Sequence, residues 1–168
     1  MALPRIACVL GTRPETIKMA PVVRALRDSG GVACEIVATA QHRLLLDQML
    51  GVFGLETDVD LDAMREGQSQ GVLAAALLTG LEARFAAFRP DLVLVQGDTT
   101  TAFLGALAAY YGRIPVGHVE AGLRTGDRYN PFPEELHRSM IARLATLHFA
   151  PHENHRQHLI REGVPAED

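Results

Sequence analysis

Residues 92–119, LVLVQGDTTTAFLGALAAYYGRIPVGHV, contain the pattern that decides the fold. The apolar run Leu92–Gln96 has the length of a buried strand, and a turn at Gly97 leads into an apolar helix that ends at Gly112. A second strand is predicted over Pro115–Val119. Two strands joined through a helix form a right-handed parallel βαβ unit. The segment therefore predicts a parallel sheet.

The same alternation of strands and helices extends through the rest of the chain. Fully apolar strands that alternate with helices are typical of a sheet covered on both faces, so we predict one doubly wound α/β domain over residues 1–168. The clearest apolar helix face lies in Ser69–Phe88, and we expect Pro21 to kink or restart the first helix. The other strands are expected at Arg5–Leu10, Cys34–Thr39, Val59–Leu61 and Leu147–Ala150, and the other helices start near Pro14, His42, Pro133 and His152.

The composition excludes several classes of protein. The chain has 168 residues, 48% of them hydrophobic and 21% charged, with 16 Lys and Arg against 20 Asp and Glu. The net charge of -4 argues against a nucleic-acid groove, which needs a basic surface. No run approaches the ~20 apolar residues of a membrane span, and the start does not resemble a signal peptide. We therefore expect a cytoplasmic protein without membrane contact.

The cysteines and histidines give little support for a metal or redox centre. Cys8 and Cys34 lie within apolar runs and lack the spacing of a metal site, so we expect buried free thiols. His152, His155 and His158 recur every third residue, but no cysteine lies nearby. We interpret them as surface histidines rather than metal ligands.

The loop after the first predicted strand has the character of an anion site. In open α/β sheets, ligands bind at the carboxyl ends of the strands. Residues 11–18, GTRPETIK, place Gly11 in a tight turn and Arg13 and Lys18 beside a helix N-terminus. Lys18 is the only lysine of the chain, which suggests a need for a compact ammonium at that position. The alternative is an ordinary turn, with Arg13 in solvent and Lys18 on a solvated helix. The loop matches neither a dinucleotide fingerprint nor a Walker A loop.

Carboxylates follow the later strands. Asp98 follows a buried strand, where it either lines the crevice or caps the next helix. Glu120 follows the next strand beside His118, and carboxylates at neighbouring strand ends can serve as general base and general acid. Glu134 lies in the first turn of a helix, where an acid complements the helix dipole and where an ion pair with Arg138 is expected.

A longer pattern resembles a known family. The segments that carry the resemblance are GTRPETIKMAPVV, TAQHR, LDQML, VQGDTTTAFLGALAAYYGRIPVGHVEAGLRTGDRYNPFPEELHR and HFAPHENHRQHLIREGV. Together they are similar to the bacterial non-hydrolysing UDP-N-acetylglucosamine 2-epimerases. The resemblance implies a Rossmann-like N-terminal half of a glycosyltransferase-B-like fold, with the C-terminal, UDP-binding domain absent from this chain. It implies no metal or redox cofactor.

The resemblance also implies roles for individual residues. The implied catalytic carboxylates are Asp98, Glu120 and Glu134. The implied substrate-binding residues are Arg13, Lys18, Asp98, Glu120 and Arg138. Gln41 and Gln68 resemble part of a second, regulatory contact region for UDP-GlcNAc.

The implied activity is the interconversion of UDP-GlcNAc and UDP-ManNAc by elimination and re-addition of UDP. The intact enzyme is implied to be a homodimer. Because the second domain is not part of this chain, we expect the chain alone to fold but not to epimerise. Two alternatives stay open. One is a non-catalytic binding or dimerisation module, and the other is a hydrolysing relative that releases ManNAc and UDP.

Overall fold

The computed structural model describes residues 2–39 and 43–167, without the side chains of residues 43–45. The strands in this part of the chain are β1 Arg5–Leu10, β2 Ala33–Ala38, β3 Val59–Asp60, β4 Leu92–Gln96, β5 Val116–Val119 and β6 Leu147–Phe149. The helices are α1 Arg13–Asp28, α2 Arg43–Val52, α3 Gln70–Phe88, α4 Thr100–Tyr111, α5 Glu134–Leu144 and α6 Glu153–Arg161.

The strands form one parallel sheet in the order β3-β2-β1-β4-β5-β6. This order confirms the predicted doubly wound α/β fold. The direction of strand progression reverses between β1 and β4, which are neighbours although α1, β2, α2, β3 and α3 separate them along the chain. A ligand crevice is expected at the carboxyl edge beside such a reversal.

Alternate residues of β1 belong to different cores, because successive side chains of a strand point to opposite faces. Ala7 and Val9 pack in a cluster with residues of α3, α4 and α5. Cys8 and Leu10 pack in a second cluster with residues of α1 and α2. Helices therefore cover both faces of the sheet. α4 lies close against the sheet at Gly105, where an added Cβ would stand only 3.1 Å from a Val95 methyl group.

By length and composition alone, α3 could cross a membrane, with a mean hydropathy of 1.5. In the fold, four side chains of the predicted face are buried, namely Leu73, Leu77, Leu81 and Phe85, whereas Phe88, the last residue of that face, is partly exposed. This face belongs to the core cluster on one side of the sheet. A helix that contributes to a soluble core meets the same criteria of length and hydropathy, so its composition is weak evidence for a membrane span.

Two local features differ from the expectations. α1 continues through Pro21, so the restart expected there as one of two outcomes does not occur. Buried Met19 and Val23 on either side of the proline hold the helix against the sheet. Of the two free cysteines, Cys8 is buried but Cys34 is partly exposed, because Cys34 lies near the start of β2, where the cover is incomplete.

Candidate active site

Glu120 is the centre of a polar cluster at the carboxyl edge of the sheet. Lys18 of α1 places its Nζ 2.5 Å from both carboxylate oxygens of Glu120. Gln96, buried at the end of β4, donates its side-chain N–H to Glu120 Oε2. Glu120 itself has a left-handed backbone with a φ of 67°. Non-glycine residues in this region carry about 1–3 kcal/mol of strain, which is characteristic of functional positions.

Asp98 forms a second charged group on the neighbouring strand end. Arg138 of α5 donates from Nη2 to Asp98 Oδ2, and its Nη1 lies 3.2 Å from Glu135 Oε2. The cap of α4 is Thr99, whose hydroxyl accepts from the Ala102 N–H at 3.0 Å. Of the two interpretations for Asp98, the structure therefore favours a crevice residue over a helix cap.

The expected pair between Glu134 and Arg138 is wrong. Arg138 turns toward the strand end, where Asp98 supplies a carboxylate, and takes Glu135 as its partner within the helix. Among the described residues, Glu134 Oε2 is buried without a hydrogen-bond partner. A carboxylate oxygen left without a donor in this position is available to a ligand or to a proton.

Two histidines hold the turn that carries Asp98. His118 Nε2 lies 2.7 Å from the Gly97 carbonyl oxygen, and His137 Nδ1 lies 3.0 Å from the Asp98 carbonyl oxygen. Burial lowers the pKa of His118 from 6.5 to about 4, against the opposing effect of the bond to Gly97. Burial also lowers the pKa of His137. Both rings are therefore neutral near pH 7, and each donates one N–H to the turn.

Glu15 joins two loops of the site. Its Oε2 accepts from the N–H groups of Gly11 and Thr12 at 2.7 and 2.6 Å, and its Oε1 accepts from the Thr99 hydroxyl at 2.5 Å. The side chain is 1% exposed. Burial raises the pKa of the Glu15 carboxyl, whereas these hydrogen bonds oppose the rise. Glu15 thereby fixes the loop after β1 relative to the loop that carries Asp98.

The loop after β5 is anchored on α6. Arg124 donates from Nε and Nη2 to both oxygens of Glu162 at 2.7 Å. His158 Nδ1 lies 2.9 Å from the Gly122 carbonyl oxygen. Gly122 has a φ of 89°, and a Cβ there would stand 2.2 Å from the His155 carbonyl oxygen. This loop therefore holds Glu120 at a fixed distance from α6.

Two of the three histidines at α6, His152 and His158, have hydrogen-bond partners, whereas among the described residues His155 Nδ1 is buried without one. The His152 side chain caps the helix by accepting from the Asn154 N–H at 3.2 Å. His158 binds the loop after β5, as described above. The described part of the chain holds no cluster of His, Cys, Asp or Glu suited to a metal ion.

The remaining predicted residues lie apart from the cluster. Arg13 is exposed at the start of α1, at the same edge of the sheet. Gln68 lies before α3 and donates to the Ala63 carbonyl oxygen at 3.3 Å. Gln41 lies outside the described residues. The regulatory region implied for Gln41 and Gln68 therefore stays a prediction.

The sequence interpretation missed four residues that build the site. Gln96 is the polar end of an otherwise apolar strand, and His137 follows two acids at the start of α5. Glu135 is buried and accepts from the Thr125 and Gly126 N–H groups at 3.0 and 3.1 Å. Glu15 stands three residues after Thr12, the spacing of a capping box, which could have predicted it.

Comparison with known proteins identifies the family. The sequence profile of UDP-N-acetylglucosamine 2-epimerase matches residues 24–168. The chain belongs to the UDP-N-acetylglucosamine 2-epimerase family. The chain is 52% identical over 163 residues to the UDP-N-acetylglucosamine 2-epimerase of Salmonella typhimurium, covering 97% of this chain and 43% of the relative. It is 51% identical over 160 residues to the enzyme of Escherichia coli K12, covering 95% of this chain and 43% of the relative.

Solved structures of the epimerase family confirm the fold. The UDP-GlcNAc 2-epimerase of Neisseria meningitidis, solved with bound UDP-GlcNAc, superposes with a TM-score of 0.94 at 44% identity. The match covers 97% of this chain and 44% of that one. The fold is therefore the N-terminal half of a glycosyltransferase-B-like fold, as predicted. The chain spans less than half the length of these epimerases.

Proposed function

We propose that this chain is the sugar-side catalytic half of a UDP-N-acetylglucosamine 2-epimerase, which interconverts UDP-GlcNAc and UDP-ManNAc. The observation that carries the proposal is the convergence of Lys18, Glu120 and Gln96 beside the Asp98–Arg138 pair at one edge of the sheet. An epimerase fold alone would not require these charges to meet.

The reaction explains why carboxylates are needed on more than one element. The C2 proton of the sugar is not acidic, so its removal is coupled to cleavage of the bond between C1 and the diphosphate oxygen. This elimination forms a C1–C2 double bond, and UDP then adds back while a proton returns to the opposite face of C2. One group must act as base and another as acid. Asp98, Glu120 and Glu134 supply three carboxyl groups from three elements.

The cations of the site suit the charge that develops in this reaction. Positive charge at C1 is stabilised by a nearby carboxylate, and negative charge on the departing diphosphate by cations. Lys18 and Arg138 hold two of the carboxylates, and Arg13 is exposed at the same edge, where it can meet the diphosphate. Each of these steps is proton transfer and electrostatic stabilisation by the chain's own residues, without a metal or redox cofactor.

We further propose that residues 1–168 form a single domain that needs the remainder of an epimerase to be active. The charged cluster lies at an edge of this domain, so a nucleotide sugar bound to this domain alone would face water on its other side. Exclusion of water and fixed positioning together supply several kcal/mol of transition-state stabilisation. We therefore infer that the chain alone folds but does not epimerise.

A homodimer in the cytoplasm is the proposed state of the intact protein. The outward side of α3 exposes alanines together with Val72, which is 58% exposed. An apolar surface outside the crevice is typical of a subunit interface. Sedimentation of an intact two-domain epimerase that carries residues 1–168, with and without Val72→Glu, tests this: we expect a dimer that the substitution converts to monomer, and a monomer without the substitution would contradict the proposal.

The activity is tested with a chimera in which residues 1–168 replace the matching segment of the Salmonella typhimurium relative. We expect the chimera to convert UDP-GlcNAc to UDP-ManNAc and to exchange solvent deuterium into C2, whereas the chain alone does neither. Glu120→Gln, Asp98→Asn and Glu134→Gln should each lower kcat by more than ~10²-fold. The exposed Glu56→Gln, in the loop after α2, is the matched control and should leave kcat unchanged.

The other candidate functions predict different products. Accumulation of free ManNAc and UDP would indicate the hydrolysing relative. A folded chimera that binds UDP-GlcNAc without turnover would indicate a binding module and would refute the catalytic proposal. Near-normal turnover in one carboxylate variant would remove that residue from the catalytic set.

A further inference from the structure

Two thiols meet across the sheet, at a distance from the carboxylate cluster. Cys8 Sγ on β1 lies 3.9 Å from Cys34 Sγ on β2. Cys8 is buried, and Cys34, near the start of β2, is partly exposed. Only Cys34 can therefore be reached by a small molecule from solvent without opening the core.

The groups around the pair favour the thiolate at Cys34. The hydrogen bond from Cys8 and the nearby Arg27 guanidinium lower the pKa of the Cys34 thiol, whereas burial and Asp58 oppose them. The hydrogen bond to Cys34 and burial raise the pKa of Cys8. Arg27 is held in place by Asp58, with Nη2 2.6 Å from Oδ2. In the arrangement that these shifts favour, the Cys8 S–H donates to the Cys34 sulfur and stabilises its thiolate form.

The strand register opposes a disulfide between the two cysteines. Cys8 lies opposite Ile36, and Cys34 lies opposite Ile6, so the cysteines are two residues out of register. Diagonal neighbours on adjacent strands stand about 7–8 Å apart, whereas a disulfide usually spans Cα atoms about 4.4–6.8 Å apart. A bridge would therefore require two central strands to move. The arrangement suits a single nucleophilic thiol at Cys34, with the buried Cys8 thiol as its hydrogen-bond partner.

We propose that Cys34 is a covalent modification site that reacts with small acidic disulfides of the glutathione class, with Cys8 and Arg27 as its positioning residues. The Cys34 thiolate attacks one sulfur of the disulfide, so a new S–S bond forms to Cys34 and the original S–S bond breaks. The second sulfur leaves as a thiolate and takes a proton from water. The carboxylates of the adduct complement the charge of Arg27.

The test treats the native chain with oxidised glutathione and locates the product by intact mass and peptide mapping. We expect one glutathionyl group per chain, on Cys34, and reaction of both cysteines only in denaturant. Cys8→Ala removes the donor and should slow modification about tenfold, whereas Cys8→Ser keeps a donor and should react at close to the wild-type rate. Arg27→Gln should slow the reaction and move its pH dependence to higher pH. Circular dichroism checks that each variant is folded.

Four results would each overturn the proposal. They are modification of Cys8 in the folded chain, loss of two hydrogens by a Cys8–Cys34 bridge, no reaction without denaturant, and equal rates for wild type, Cys8→Ala and Arg27→Gln. None of these readouts depends on epimerase activity, so the proposal stands or fails independently of the proposed function.

Discussion

Replacing His118 by Gln is expected to remove a large part of the acid sensitivity of the fold. Burial lowers the pKa of His118 from 6.5 to about 4. Between these values the unfolded imidazole binds a proton that the folded one does not, so the free energy of unfolding falls as the pH is lowered. A tenfold change in proton affinity corresponds to about 1.4 kcal/mol. The titration of His118 should therefore lower the free energy of unfolding by about 3 kcal/mol between pH 6.5 and about 4.

Urea unfolding of the chain at a series of pH values between 6.5 and about 4 measures this contribution. Gln at position 118 can still donate an N–H to the Gly97 carbonyl oxygen, which His118 Nε2 contacts at 2.7 Å, but it does not titrate. Buried groups common to both proteins, including Glu15 and His137, contribute equally and cancel in the difference.

The result that refutes this reasoning is an equal pH slope for wild type and His118→Gln. It would mean that the folded protein admits a proton at His118 at little cost, either through water or through a carboxylate that approaches the ring. The reasoning is also refuted if the variant is less stable than wild type by the same amount at every pH. Such a result would show that the substitution changes packing and not titration.

Other variants test other parts of the site. Glu15→Gln should remove the decrease in stability that titration of Glu15 contributes as the pH rises above 4.5, because burial raises the pKa of Glu15; equal pH slopes for the variant and wild type in urea unfolding would contradict this. Gly122→Ala should cost at least about 2 kcal/mol by thermal unfolding, and clearly more than Gly126→Ala, since both have positive φ but only Gly122 meets backbone at 2.2 Å. Lys18→Arg should raise KM in the active chimera with the fold retained, because the larger guanidinium does not fit where Nζ contacts both Glu120 oxygens at 2.5 Å. Unchanged kinetics would show that Lys18 has no role in substrate binding.

The sequence predicts the strands and the edge at which polar residues collect, but not which of these residues pair. Apolar runs such as Leu92–Gln96 are local signals, and parallel pairing then places their ends together. The contact between Lys18 and Glu120 spans 102 residues of sequence, and only the assembled sheet creates it. The error over Glu134 and Arg138 has the same origin, because helical spacing ignores a carboxylate that arrives from another strand.

Position 120 needs a residue that tolerates a φ near 67° and that carries a carboxylate long enough to reach Lys18 and Gln96. No residue meets both needs without strain. Gly, Asn and Asp adopt a φ near 67° most easily, but each would withdraw the carboxylate or shorten its reach toward Lys18 and Gln96. Under the proposed function, a mutation that relaxes the backbone at position 120 therefore weakens catalysis, and selection for turnover retains the strained glutamate. If activity is no longer selected in a descendant of this domain, position 120 is where the sequence should change early.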